Sequence, residues 1–175
     1  MTEEEALIRA AQSGDAAAFE QLLERHYDTV YRFAYKWCGS RVDAQDITQQ
    51  ACMKLAQSLG QFRFDSAFTS WLYRLVVNCA RDWARSQRRH APAADVEPDS
   101  EPAGGDTVQQ RAFFWELLEQ LEALPDGIKE TLLLVYAEGL SHAETAAALN
   151  IKESTVSWRL HEFRKRHRLA LEGQP

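Results

Sequence analysis

The sequence predicts an all-α protein of two small helical domains, and three observations carry that prediction. Apolar residues recur at three- and four-residue steps, and no run alternates apolar and polar residues long enough to argue for a strand. The stretch Ala91 to Asp106, APAADVEPDSEPAGGD, carries Pro92, Pro98, Pro102, a glycine pair and acidic residues with almost nothing to bury, so it reads as an extended, flexible, acidic linker. Beyond it, Ser141 to Arg168 reads as a helix, a tight turn and a second helix. The expected division is residues 1–90, a linker over 91–107, and residues 108–175.

In the first domain, Phe19, Leu22, Leu23, His26, Tyr27, Val30, Phe33, Ala34 and Trp37 define one long amphipathic helix, with Asp15 near its start and Gly39 closing it. A second helix, from about Val42 to Leu59, buries Ala44, Ile47, Ala51, Leu55 and Leu59. It leaves Asp43, Asp46, Gln49, Gln50 and Lys54 towards solvent, and Gly60 ends it. Gln61 to Phe68, QFRFDSAF, is irregular and aromatic. A third long helix follows, from about Thr69 to Arg89, with Trp71, Leu72, Leu75, Val76, Cys79 and Trp83 as its apolar stripe and Arg85, Arg88 and Arg89 at its end.

In the second domain, Phe113, Phe114, Leu117, Leu118, Leu121 and Leu124 form a helix that Pro125 interrupts. Ile128, Leu132, Leu133, Val135 and Tyr136 form the next, ended by Gly139. Ser141 and Glu144 are spaced as a capping box, Asn150 suits a left-handed turn, and Ala143, Ala146 and Ala147 permit close helix approach. The last helix places Val156, Leu160 and Phe163 on one face. Ser154, Thr155, Ser157, Trp158, His161, Glu162 and Lys165 then look outward, as residues entering a DNA major groove would. The competing reading is a plain helix pair whose basic end complements the helix dipole, but Arg159, Arg164, Lys165, Arg166 and Arg168 exceed that need and suit phosphate contacts.

With 175 residues, 45% of them hydrophobic, five Trp and eight Phe, the chain has apolar mass for real cores. The acidic start MTEEEALIRA is unlike a secretory signal and no apolar run reaches membrane-span length, so a cytoplasmic protein is expected. Cys38, Cys52 and Cys79 are odd in number and sit in apolar patterns, which reads as three buried thiols in a reducing compartment. A net charge of -6 is unusual for a DNA binder. Its distribution resolves this: acid gathers in Glu3 to Glu5 and in the linker, and base gathers at Arg81 to Arg89 and Arg159 to Arg168.

Near the first basic cluster, Phe62, Phe64, Phe68, Trp71 and Tyr73 adjoin Arg63, Arg74, Asn78, Arg81 and Arg85, the combination that binds unpaired bases by stacking. Phe68 and Trp71 read better as core. Phe62 and Phe64, in the loop, are the candidates for base contact. An enzyme is not expected: the five His and three Cys show no metal-ligand spacing, and no phosphate loop or nucleophile elbow is present. No cofactor and no metal are called for.

FTSWLYRLVVNCARDWARSQRR, Phe68 to Arg89, resembles the second conserved region of the extracytoplasmic-function (ECF) sigma factors. VDAQDITQQACMKL, Val42 to Leu55, resembles their core-polymerase-binding segment, and the C-terminal LEALPDGIKETLLLVYAEGLSHAETAAALNIKESTVSWRLHEFRKR resembles their fourth region. The resemblance implies a transcription initiation factor. Asp43, Asp46, Gln49 and Gln50 would meet the beta-prime coiled coil of core RNA polymerase. Phe62, Phe64, Asn78, Arg81, Arg85, Arg88 and Arg89 would meet the melted minus-ten element. Ser154, Thr155, Ser157, Trp158, Arg159, His161, Arg164 and Lys165 would read the minus-thirty-five element, with the beta flap nearby. An anti-sigma factor, often membrane-bound, is the further partner implied.

Departures accompany the resemblance. Gln45 and Gln50 stand where Glu is common, which throws docking onto Asp43 and Asp46. Ser157, Trp158 and Glu162 replace the usual basic residue, Ser and Arg, so promoter preference does not transfer from relatives. Glu162 suits either a cytosine contact or an intramolecular pair. The alternative function is an autonomous helix-turn-helix regulator that binds DNA without polymerase, although no spare amphipathic helix offers it a dimer interface.

Overall fold

The computed structural model describes residues 2–90 and 127–172, with the side chains at 88, 90 and 167–172 excepted. The stretch read as a linker and the helix expected over Phe113 to Leu124 lie outside the described residues. The chain divides into two compact units, Met1–Asp99 and Ser100–Pro175. Every regular element among the described residues is helical, and the fold class is all-α.

The first unit contains α1 (Glu3–Gln12), α2 (Ala16–Cys38), α3 (Arg41–Ser58) and α4 (Phe68–His90), with a 3-10 turn at Leu59–Gln61. Helix α1 is absent from the elements expected, though its start is marked: Thr2 Oγ1 accepts from Glu5 N at 3.1 Å while Thr2 N donates to Glu5 Oε2 at 3.1 Å. It docks on α2 through Ile8, through Glu3 to Arg25 at 2.7 Å, and through Glu4 to His26 at 3.0 Å. For α2 the expected ends are the observed ones. Asp15 Oδ1 accepts from Ala18 N at 3.1 Å, and Gly39, at φ 72°, donates its N–H to Tyr35 O at 2.8 Å.

Leu22, Phe33, Ala34, Ile47, Val76 and Cys79 fill the space between α2, α3 and α4. Each large apolar side chain contributes about 1.5–3 kcal/mol by leaving water. Cys38 and Cys52 are only half-buried, which corrects the expectation of three buried thiols: each lies at the edge of its helix's inward stripe, and Cys79 at its centre.

In the second unit, α5 (Ile128–Leu132) widens into a π turn at Leu133–Ala137, where Glu138 N reaches Leu133 O at 3.0 Å. The added residue per turn rotates the end of the stripe, and Tyr136, expected in the core, is 61% exposed. Helix α6 (His142–Leu149) and helix α7 (Glu153–Glu172) complete the unit. Ile128, Leu132, Ala146, Val156 and Leu160 form its core, with Val135, Ile151 and Phe163 against it. Ala143 is exposed and Ala148 buried, so the small-residue contact surface of α6 is Ala146 and Ala148 rather than Ala143 and Ala147.

Candidate nucleic-acid interface

Three surfaces carry the residues singled out above. On α3, Ser40 caps the helix by accepting from Asp43 N at 3.3 Å, and Thr48 Oγ1 turns inward to donate to Ala44 O at 2.7 Å. The inner stripe Ala44, Ile47, Ala51 and Leu55 is buried. That leaves Asp46, Gln49 and Gln50 exposed and Asp43 half-buried at the rim. Two apolar residues flank this polar face at helical spacing, Val42 at 60% and Met53 at 62% exposure. Sequence reasoning passed over both. Their signal was their place one turn beyond Asp46 and Gln50 on the outward side.

The second surface joins the loop 62–67 to α4. Phe62 is 5% exposed, with ring centroids 4.8 Å from Phe64, 5.4 Å from Phe68 and 5.4 Å from Trp71. It is therefore core, which corrects its assignment to base contact; a loop residue whose backbone is pinned beside a helix end can bury as fully as a helical one. The pin is Gln12, whose Nε2 donates to Leu59 O at 2.9 Å and to Phe62 O at 2.8 Å. Phe64 is half-buried at φ 61°, a left-handed conformation uncommon for a bulky residue, and the guanidinium of Arg9 lies 4.2 Å over its ring.

Asn78, Arg81, Arg85 and Arg89 follow one face of α4 at steps of three and four, with Asn78, Arg85 and Arg89 exposed and Arg81 half-buried. The side chain of Arg88 lies outside the described residues. Arg85 pairs with Asp82, which also accepts from Lys54 Nζ at 3.0 Å. The hydrogen bond from Lys54, with help from Arg85, holds the Asp82 carboxyl below its ordinary pKa. The basic stripe thus has a carboxylate built into it.

The third surface is the helix-turn-helix. Ser141 Oγ accepts from Glu144 N at 3.2 Å and Ser141 N donates to Glu144 Oε2 at 2.8 Å, closing the capping box expected there; the Ser141 hydroxyl also donates to that oxygen at 2.6 Å, and this bond, with the backbone one, lowers the pKa of Glu144. Asn150 takes φ 54°, ψ 48°, as the turn requires. Helix α7 presents Ser154, Ser157, Trp158, His161 and Lys165 on one exposed face, with Trp158 59% exposed and Thr155 half-buried beside them. Ser157 Oγ lies 3.2 Å from His142 Nδ1, tying the two helices at the edge of that face.

Arg159 does not join it. Its Nη1 donates to Gly127 O at 3.1 Å and to Thr131 Oγ1 at 3.3 Å, and the buried Thr131 hydroxyl itself donates to Gly127 O at 2.7 Å. Gly127 sits at φ 89°, and a Cβ built there would overlap the Arg159 guanidinium. Its place one step round the helix from Val156 and Leu160 turns Arg159 onto α5, where it is half-buried against Gly127 and Thr131 rather than set on the exposed face. Arg164 is exposed, with Nε donating to Leu160 O at 3.2 Å. Glu162 forms the intramolecular pair, to Arg166 Nε at 2.9 Å, and that bond lowers its pKa.

Among the described residues no three His, Cys, Asp or Glu side chains gather as a metal site would need, and no helix is long and apolar enough to cross a membrane. Residues 22–90 match Sigma-70 region 2, and residues 114–166 match Sigma-70, region 4. The chain is 32% identical to the ECF RNA polymerase sigma-E factor of Escherichia coli K12, an alignment covering 98% of this chain and 95% of that one. It is 34% identical to the ECF RNA polymerase sigma factor SigM of Mycobacterium tuberculosis, over 91% of this chain and 80% of that one. In fold it resembles CnrH, solved in complex with the cytosolic domain of CnrY, with a TM-score of 0.72 at 24% identity over 98% of this chain and 99% of that one. It also resembles the sigma factor RpoE of Bartonella quintana, solved with the anti-sigma factor NepR, with a TM-score of 0.67 at 21% identity over 90% and 98%.

Proposed function

We propose a division of labour between the two units, from the premise that this chain belongs to the ECF RNA polymerase sigma factors. Members of this family are transcription initiation factors and not enzymes; they bind DNA and direct RNA polymerase to promoters. In this chain the outer face of α3 docks on core polymerase, at the beta-prime coiled coil. Asp43 and Asp46 supply the charge, Gln49 and Gln50 the hydrogen bonds, and Val42 and Met53 apolar contact at either end of the polar patch. The loop 62–67 with Asn78, Arg81, Arg85, Arg88 and Arg89 handles the opened minus-ten element. Helix α7 reads the minus-thirty-five element through Ser154, Thr155, Ser157, Trp158 and His161, while Arg164 and Lys165 hold phosphates and the beta flap lies nearby.

The observation that supports this reading best is the continuous exposed face of α7, set on a capped helix-turn-helix, in a chain matched by both sigma regions. Net negative charge leaves the protein alone a poor nonspecific binder, which suits a subunit that acts on DNA only when mounted on polymerase. Regulation by an anti-sigma factor covering the docking faces belongs to the same reading.

The experiment is reconstitution with core enzyme and transcription from a genomic fragment library. Promoter-specific transcripts that need both components are expected, and Asp43→Ala with Asp46→Ala should remove co-purification with core while leaving the helical spectrum intact. Tight, salt-resistant binding of duplex DNA by the protein alone, with no stimulation of core, would favour the autonomous regulator.

A further inference from the structure

Helix α1 lies outside both matched sigma regions, yet it carries the outermost member of a column of tilted ring contacts. Trp71 and Phe62 stand 5.4 Å apart between centroids, Phe62 and Phe64 4.8 Å, and Arg9 Cζ lies 4.2 Å from the centroid of Phe64. Phe62 is buried, Phe64 half-buried and Arg9 exposed, so the column starts inside the first unit and ends at solvent in a planar cation. Among the described residues no carboxylate pairs with that guanidinium, although Glu3 and Glu4 on the same helix are both engaged elsewhere.

The column is held in place from two sides. Gln12, one turn after Arg9 on α1, binds the carbonyls of Leu59 and Phe62 and so fixes the helix against the start of the loop. Phe64 keeps a left-handed backbone to bring its ring under Arg9. A strained, bulky residue persists where its surroundings over-determine it, and such positions gather at binding sites.

Unpaired bases bind proteins by stacking on aromatic rings and on guanidinium planes, with phosphate taken by the guanidinium edge. We infer that Arg9 and Phe64 form a stacking site for an unpaired promoter base, the outer face of the Arg9 guanidinium receiving the base and its N–H groups an adjacent phosphate. A lysine at position 9 keeps the charge and its attraction to the ring but offers no plane to stack on. The inference rests on the reading that the first unit handles opened DNA, and it adds to that surface a residue from a helix that neither matched region includes.

The test uses holoenzyme reconstituted from core and the full chain on a promoter recovered from the library, with strand opening followed by permanganate reactivity. Arg9→Ala and Arg9→Lys are compared with Asn78→Ala, and all three are checked for unchanged thermal melting. Both Arg9 variants are expected to lower the open-complex equilibrium roughly tenfold while retaining binding to the closed duplex. Wild-type opening by Arg9→Lys would reduce the residue to a point charge and overturn the stacking site. Wild-type opening by Arg9→Ala together with a loss in Asn78→Ala would overturn the inference and leave the proposed surface standing. Wild-type opening by all three would overturn both.

Discussion

The loop 62–67 and the turn between α6 and α7 each hold a non-glycine residue in left-handed backbone, Phe64 at φ 61° and Asn150 at φ 54°. They reach it differently. Asn150 is a helix stop whose own chemistry tolerates the conformation, and its N–H closes on Ala147 O at 3.4 Å within the motif. Phe64 has no such local reason: a ring on one side, a cation on the other and a glutamine tether two residues earlier hold it there. One surface is built by local rules, while the other is built by tertiary contacts and depends on α1.

The comparison breaks most easily at Phe62. Phe62→Ala should cost about 3–5 kcal/mol of stability, as a buried ring does, whereas Trp158→Ala on the exposed face of α7 should stay within about 0.5 kcal/mol. Denaturant unfolding measures both, and equal effects would erase the contrast between the two surfaces. Next in size is Gly127→Ala, which should cost roughly 2 kcal/mol by forcing a Cβ into left-handed backbone and into the Arg159 guanidinium. Adding Arg159→Ala should recover part of the loss, read as a partial return of the melting temperature.

A finer contrast comes from glycine and alanine at positions 64 and 150. Glycine should be more stable than alanine by about 1 kcal/mol at both, because both pay the same left-handed penalty. Asn150→Gly should be nearly silent, whereas Phe64→Gly should also lose the ring contacts.

The smallest effect is a pH dependence confined to the first unit. Burial is the largest influence on His26 and pulls its pKa below the ordinary 6.5, against the opposing pull of Glu4. The unfolded chain therefore takes up a proton that the folded chain resists. Stability is fully present above pH 6.5 and falls as pH drops towards the folded pKa. The His26 ring packs 5.1 Å from Phe68, itself 5.4 Å from Phe62, so melting of this unit should come earlier at about pH 5.5 than at about pH 7.5. His26→Leu should flatten that slope.

What was legible in the sequence follows the same line. Asp15, Gly39, Ser141 with Glu144, and Asn150 were readable because caps and stops are decided within four residues of themselves. The inward stripes of α3 and α7 were readable because helical spacing alone sorts them, whereas on α2 the same spacing also took in Tyr27, which is 46% exposed. The burial of Phe62 and the inward turn of Arg159 were not legible because their partners, Trp71 and Gly127, lie on other elements that no local spacing connects to them. Tyr136 moved to the surface because a π turn, with no signature in LLLVYA, changed the register. Helix α1 went unread although Thr2 and Glu5 spell the same box as Ser141 and Glu144; three successive glutamates drew attention as charge and hid the cap.

Gln12 falls outside the segment an experimenter would keep when trimming the chain to residues 22–90, while the two carbonyls its amide reaches, those of Leu59 and Phe62, lie well inside it. Such a fragment would lose the first turns of α2 with their Asp15 cap and leave the Leu59 and Phe62 oxygens without the Gln12 amide. Fragment work on the first unit should begin at Thr2, since the helix that the region 2 match leaves out is the one whose glutamine holds the aromatic loop.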